Sequence, residues 1–246
     1  MKLKSIQASA FKSLFEVLKE IINDVNVYFD SSGMHLSSFD VARVTLVNVV
    51  MPCENFEEYE CKTPVTIGLN VANTYKLIKS TGTNDVIHLE NTVEHLKITI
   101  SNEVKKSKST FNLKLLDLNE ELVDIPELSH IKYVTTVMPS FDFQKLIRDM
   151  SAIGTDILIK RYDTCVEFTC DGDFANQTTI VNEQSKSDII CGGVFSIKYI
   201  SMFVKSTVLC PIVQIYQNDN EDSPVIFKYS IANLGHIKFY LAAVND

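Results

Sequence analysis

The sequence predicts an α+β chain made of two similar halves, each holding two helices among many short strands. Three observations carry this. Short runs alternate apolar and polar residues at the period of half-buried strands. Only four stretches show the 3.6-residue period of an amphipathic helix. The order of elements in the first half recurs in the second. With 246 residues, 46% of them hydrophobic and 22% charged, the chain can bury a core.

The helical stretches are 11–22, 71–81, 141–152 and 195–207. Phe11, Leu14, Phe15 and Leu18 form the apolar stripe of the first. Ser140 stands where an N-cap would open the third, and Gly154 follows its end. Strand-like runs in the first half are VNVYF (25–29), VTLVNVVM (44–51), VTIGL (65–69), HLKITI (95–100) and TFNLKLL (110–116). The second half offers DILIKR (156–161), CVEFTC (165–170), PIVQIY (211–216), PVIFKYS (224–230) and HIKFYLA (236–242).

The halves superimpose residue on residue. Phe11 matches Phe143, Leu14 matches Leu146, Phe15 matches Ile147 and Leu18 matches Met150. Val25/Ile157, Val27/Ile159, Met34/Val166 and Leu36/Phe168 continue at the same offset. The stretch 71–81 lies on 195–207, with Leu77 on Phe203 and Lys79 on Lys205. Between the halves, DLNEELVDIPELSHIK (117–132) is acidic, contains proline and lacks periodicity. It reads as a connector, and the division is 1–117, 118–131 and 132–246.

A net charge of −8 argues, if evenly spread, against nucleic acid as a partner. It is not evenly spread. The four helical windows hold Lys12, Lys19, Lys76, Lys79, Lys145, Arg148, Lys198 and Lys205 against only Glu16, Glu20, Asp142 and Asp149. They carry +4, which leaves −12 for the rest. Each basic pair is spaced by three or seven and falls on one side of its helix. One such pair is an ordinary solvated face; four of four in an acidic chain point to a basic surface that meets phosphates without reading bases.

Catalytic constellations are missing. The chain has no Gly-rich phosphate loop, no G-x-S-x-G and no H-E-x-x-H, so no enzymatic activity, metal or cofactor is expected. The DGD at 171–173 lacks the other ligands of a calcium loop and reads as a turn. Six cysteines without a C-x-x-C pair read as small buried thiols. No apolar run is long enough for a membrane helix, and MKLKSIQASAFK has no signal-like core; an intracellular chain without a membrane partner is expected.

The stretches LKEIINDVNVYFDSSGMHLSSFD (18–40), KLLDLNEELVDIPE (114–127), MPSFDFQKLIRDMSAIG (138–154) and YSIANLGHIKFYLA (229–242) resemble the proliferating cell nuclear antigen family, the eukaryotic DNA sliding clamps, over essentially the whole chain. The resemblance implies two similar clamp domains, each with two helices packed on antiparallel sheets, closing as a homotrimer into a ring. The helices would line the hole, and the eight basic residues would face double-stranded DNA. Edge strands near 109–116 and 175–182 would pair across subunits.

The resemblance also implies a groove under the connector for peptides of DNA polymerase and other replication and repair proteins. Its positions here are Phe39, Arg43, Val44, Leu46, Val123, Ile125, Pro126, Pro224, Tyr240, Leu241 and Ala242. A clamp loader and a nuclear location follow from the same resemblance. Ala243 stands where the family usually has proline, Phe39 and Arg43 replace the more usual Met and His, and Asp163 occupies the place of a modifiable lysine. Two other readings stay open: a viral or checkpoint relative working in a hetero-ring or as a transcription co-factor, and, remotely, an enzyme with a carboxylate site.

Overall fold

The structure is a computed structural model that describes residues 1–119, 123, 132–182, 190–220 and 223–244. The chain divides into two compact units. The first comprises Met1–Val41, Val47–Asp124 and Ser230–Ile237; the second comprises Ala42–Leu46, Ile125–Tyr229 and Lys238–Asp246. Most of the connector expected at 118–131, with Ile125 and Pro126, lies outside the described residues.

In the first unit, β1 (Lys2–Ser5), β5 (Glu58–Glu60), β7 (Val86–Asn91), β8 (His95–Asn102) and β9 (Ser107–Lys114) form one antiparallel sheet in the order β5-β1-β7-β8-β9. Strands β2 (Asp24–Asp30), β3 (Gly33–Phe39), β4 (Thr45–Pro52) and β6 (Val65–Asn70) run side by side in the order β4-β3-β2-β6. Against these pack α1 (Ala8–Leu18) and α2 (Val71–Ile78), which also lie against each other. Asn70 caps α2, its Oδ1 accepting from the Asn73 amide at 2.9 Å. Phe11, Leu14, Phe15 and Leu18 are all buried, as their spacing predicts. Phe11 and Phe15 face Val27, Phe29, Ile87 and Leu89 around a cavity of about 20 Å³ whose lining is apolar but for Thr74. Such a void offers water no set of polar partners and stays dry.

The chain leaving β9 is pinned at once. The Leu116 amide donates to Gly68 O at 2.9 Å, and Asn26 Nδ2 donates to Leu118 O at 3.2 Å. Gly68 is required there, because a Cβ would lie 2.2 Å from Leu116 O.

In the second unit, β11 (Asp156–Arg161), β12 (Cys165–Asp171), β13 (Asn176–Asn182) and β14 (Cys191–Ser196) form a four-stranded antiparallel sheet in the order β13-β12-β11-β14. Strands β10 (Val134–Pro139), β15 (Ile212–Gln217) and β16 (Val225–Ile231) follow one another in a second sheet. The last strand, β17 (Gly235–Leu241), gives its C-terminal half to this unit. Helices α3 (Ser140–Ser151) and α4 (Ile197–Phe203) pack together, and α4 runs into a 3-10 turn at Val204–Val208. An aromatic stack forms the core: Phe143 on Phe227 at 5.6 Å, and Phe203 on Phe239 at 4.6 Å, nearly parallel. Each apolar pair that the repeat aligned from Phe11/Phe143 to Leu36/Phe168 is buried on both sides.

The structure corrects several expectations. Helix α1 starts three residues before the expected 11–22 and stops at Leu18, where the Glu20 and Ile21 amides turn to carbonyls three residues back. Helix α2 ends at Ile78, not 81. The stretch expected as one helix over 195–207 opens on β14 and closes as a 3-10 turn. There Thr207 Oγ1 donates to Val204 O at 2.7 Å and competes with the α pattern. Cys170 and Cys191 are buried, but Cys53, Cys61, Cys165 and Cys210 are partly exposed. The DGD segment is the β12–β13 turn, closed by the Gly172 amide on Ala175 O at 3.0 Å.

Candidate nucleic-acid interface

Helix α1 buries Ala8, Phe11, Leu14, Phe15 and Leu18, which leaves Ser9, Lys12, Ser13 and Glu16 on its outer side. Lys12 is partly exposed and makes no ion pair among the described residues. Lys19 is the residue after the helix. Its Nζ stands 3.1 Å from Glu20 Oε1 and 4.9 Å from the centre of the Tyr75 ring. The hydrogen bond to Glu20 holds the Lys19 ammonium above its ordinary pKa, against a smaller opposing effect of burial. Tyr75, on α2, also holds a hydrogen bond with Glu16; burial first, and then the Glu16 charge, push its hydroxyl up. Both carboxylates of the first helical window are therefore engaged locally.

Helix α2 turns Val71, Thr74 and Ile78 inward and presents Lys76 and Lys79 to solvent. Lys76 Nζ donates to Asn73 Oδ1 at 3.2 Å. Lys79, at the C-cap, sits where the helix dipole favours a cation.

In the second unit, α3 buries Phe143, Leu146, Ile147 and Met150 and exposes Lys145 and Arg148. Arg148 Nε lies 3.6 Å from Asp149 Oδ1, a loose contact between exposed groups. Lys198 is exposed on α4, with its Nζ 5.6 Å from the Tyr199 ring centre. Lys205 is exposed on the 3-10 turn beyond that helix. Gln144 Nε2 donates to Val204 O at 3.1 Å and ties this turn to α3. Within each unit, then, two adjacent helical elements carry four cations on their outer sides. The sequence did not single out Tyr75; its place in the polar stripe of α2 is the only signal it carries.

The positions expected to form a peptide groove fall in both units and are placed within each. In the first, Phe39 ends β3 and is exposed at 39%, and Val123 is partly buried. In the second, Arg43 is exposed in a turn at φ 57°, Val44 is partly exposed and Leu46 is buried in β4. The Ala242 amide donates to Val44 O at 3.2 Å, which brings Ala242 beside this segment. Ala242 is exposed, Pro224 is partly exposed, and Tyr240 and Leu241 are buried. Burial, and the nearby Tyr133, push the Tyr240 hydroxyl up. Tyr133 in turn meets Tyr216 edge-on at 6.5 Å. This tyrosine group is one the sequence reading missed, since its members are 83 and 24 positions apart.

Among the described residues, no cluster of three or more His, Cys, Asp or Glu could hold a metal, and no helix is long and apolar enough to cross a membrane.

Residues 1–122 match the model of the proliferating cell nuclear antigen N-terminal domain, and residues 124–244 match that of its C-terminal domain. The chain is also 34% identical to a protein of Paramecium bursaria Chlorella virus 1 described as "Probable DNA polymerase sliding clamp 1", over 98% of this chain and 96% of that protein.

Proposed function

Because this chain belongs to the proliferating cell nuclear antigen family, we propose that three identical copies close head to tail into a ring around duplex DNA. The chain is a DNA polymerase sliding clamp, a processivity factor of DNA replication. Its finer assignments are domains at 1–117 and 132–246 joined by a connector at 118–131, and the eight basic helix residues as the DNA-facing set.

The observation that supports the DNA-facing set is the charge pattern. Eight cations lie on or next to four short helices, all at least partly exposed, in a chain of net charge −8. Lys and Arg on a smooth helical surface attract phosphates at any sequence, and their separate, individually weak contacts allow sliding. An acidic remainder gives DNA no second place to settle. The ring holds DNA by topology, so no catalytic group is needed and the chain is read as not an enzyme.

Polymerase and other replication and repair proteins would dock through the groove of Phe39, Arg43, Val44, Leu46, Val123, Ile125, Pro126, Pro224, Tyr240, Leu241 and Ala242. A clamp loader would open the ring, and the nucleus would be its location. The test is Lys12→Glu together with Lys76→Glu. Polymerase stimulation on primed DNA should fall while the circular dichroism spectrum is kept; unchanged stimulation would overturn the DNA-facing assignment.

A further inference from the structure

One sheet face of the second unit is cationic in an acidic chain. Strands β10, β15, β16 and β17 contain no Asp or Glu, and their two lysines are Lys228 and Lys238. Phe227 and Phe239 point into the core, where Phe227 stacks on Phe143 of α3 and Phe239 stacks on Phe203 of α4. Successive side chains of a strand alternate between faces, so Lys228 and Lys238 turn to the face away from those helices. Strands β16 and β17 are neighbours in the sheet, which brings the two ammonium groups near each other. Both lysines are partly buried, and neither forms an ion pair among the described residues. Burial first, and then Lys228, hold the Lys238 ammonium below its ordinary pKa. Like charges on neighbouring strands destabilise a sheet, and a carboxylate supplied from outside would meet both cations at once.

Across the strands the same face turns apolar. Gln214 lies opposite Lys228 on one side and opposite Val137 on the other. Val137 is 56% exposed; two residues along the same pair of strands, Pro139 faces Ile212, which is 47% exposed. Charge thus gives way to exposed apolar side chains two strands away, about 10 Å at the usual strand spacing. None of these strands is an edge near 109–116 or 175–182, which the ring reading pairs across subunits.

We propose that this face docks an acidic peptide segment of a partner protein, with its carboxylates on Lys228 and Lys238 and an apolar side chain against Val137 and Ile212. This goes beyond the groove reading above, since none of these four residues belongs to that groove. Charge complementarity selects the occupant: elsewhere an acidic chain repels an acidic peptide, and here two cations stand without a carboxylate. An extended peptide advances about 3.3 Å per residue, so its apolar side chain stands about three positions from the nearer carboxylate. Duplex DNA is the poorer fit, because two cations flanked by apolar side chains give phosphates no continuing track.

The experiment uses the full chain and a fluorescein-labelled peptide, Gly-Ser-Glu-Glu-Ser-Ser-Leu-Ser-Gly, with its Gln-Gln analogue, read by fluorescence anisotropy at low salt. Acetylation of accessible amines, mapped by mass spectrometry, locates the contact. The expected result is at least about fivefold tighter binding of the Glu peptide than of the analogue. The Glu peptide alone should protect Lys228 and Lys238 from acetylation. Lys228→Gln/Lys238→Gln should erase the preference, and Val137→Ser/Ile212→Ser should weaken the Glu peptide at least about threefold. Lys12→Glu/Lys76→Glu should leave the preference and the footprint as they are. Should the lysine variant misfold by circular dichroism, the wild-type preference and footprint decide. Equal binding of the two peptides, or a preference kept by the folded lysine variant, overturns the proposal. Protection of Lys228 and Lys238 by a duplex oligonucleotide but not by the Glu peptide overturns it too. Loss of the preference in Lys12→Glu/Lys76→Glu would put the peptide on the DNA-facing set instead, and the proposal fails.

Discussion

Lys19 Nζ stands 4.9 Å over the Tyr75 ring, which couples the end of α1 to the middle of α2 across the surface that carries the basic residues. The same tyrosine engages Glu16, and Lys19 itself engages Glu20 at 3.1 Å. The basic surface of the first unit is therefore not a plain array of free lysines. One of its four cations is part-neutralised, while Lys12 and Lys79 make no ion pair among the described residues.

Removing that neutralisation should strengthen DNA retention. A partly exposed surface pair between adjacent residues such as Lys19–Glu20 contributes little to stability, roughly 0–1 kcal/mol, so Glu20→Gln should leave folding unchanged. Freeing the cation should raise DNA affinity about twofold per subunit and steepen the salt dependence by less than one unit of slope. Filter retention of the clamp on circular duplex DNA over a salt series reads both. Equal slopes for wild type and Glu20→Gln would mean that Lys19 does not face phosphate.

The aromatic stack of the second unit should dominate its stability. Phe143 is fully buried, stacked on Phe227 at 5.6 Å and tilted against Phe168 at 6.2 Å. Phe143→Ala should cost about 3–5 kcal/mol. Urea unfolding followed by circular dichroism checks this, and a cost below about 1 kcal/mol would mean that the neighbours collapse into the void.

How far the sequence was legible follows from what each element displays. The buried stripes of α1 and α3 were readable because four apolar residues at helical spacing recur in both halves, and all eight are buried. Strand β14, CGGVFS, was missed: two glycines erase the alternation that marks a strand, and its pairing with β11 supplies what the pattern lacks. Strand β5, EYE, is too short for any period to show; it is held as a strand by β1, 54 or more positions away. The eight cations were legible as a set because charge can be counted by element. The fate of Glu16 was not, since Tyr75 is more than fifty positions away and only the packing of α1 on α2 brings them together; Glu20 turns to its own neighbour Lys19, which spacing alone does not reveal. Helix ends were misplaced where local hydroxyls and i−3 hydrogen bonds decide the last turn, as Thr207 does.

The anchoring of the chain after β9 predicts a sharp difference between two glycines. A Cβ on Gly68 would meet Leu116 O at 2.2 Å, whereas on Gly82 its nearest neighbour is Asp85 Oδ2 at 3.8 Å. Gly68→Ala should therefore break the Leu116–Gly68 hydrogen bond and destabilise by about 1–3 kcal/mol, and Gly82→Ala should be nearly neutral. Amide hydrogen exchange at Leu116 should accelerate in the first variant only. Unchanged protection there would show that the bridge adapts to a methyl group.

Acid should weaken one turn of the first unit. Asp85 Oδ2 accepts the Gly82 amide at 2.8 Å and Oδ1 accepts Asn102 Nδ2 at 2.5 Å. The Gly82 amide is the larger cause, and with Asn102 it holds the Asp85 carboxyl below the usual carboxylate range despite burial. A carboxylate whose pKa is lowered by folding contributes stability above its unfolded pKa of about 3.9, and that contribution is lost as pH falls through the lower folded value. Asp85→Asn should therefore cost about 1 kcal/mol at neutral pH. The gap from wild type should begin to shrink as the pH drops below about 4, where the unfolded chain takes up the proton first, and should close at lower pH as the folded carboxyl is protonated in its turn. Thermal unfolding of both proteins over that range decides the matter: a gap that stays constant with pH would mean that the turn is held by shape, and the Asp85 charge contributes nothing.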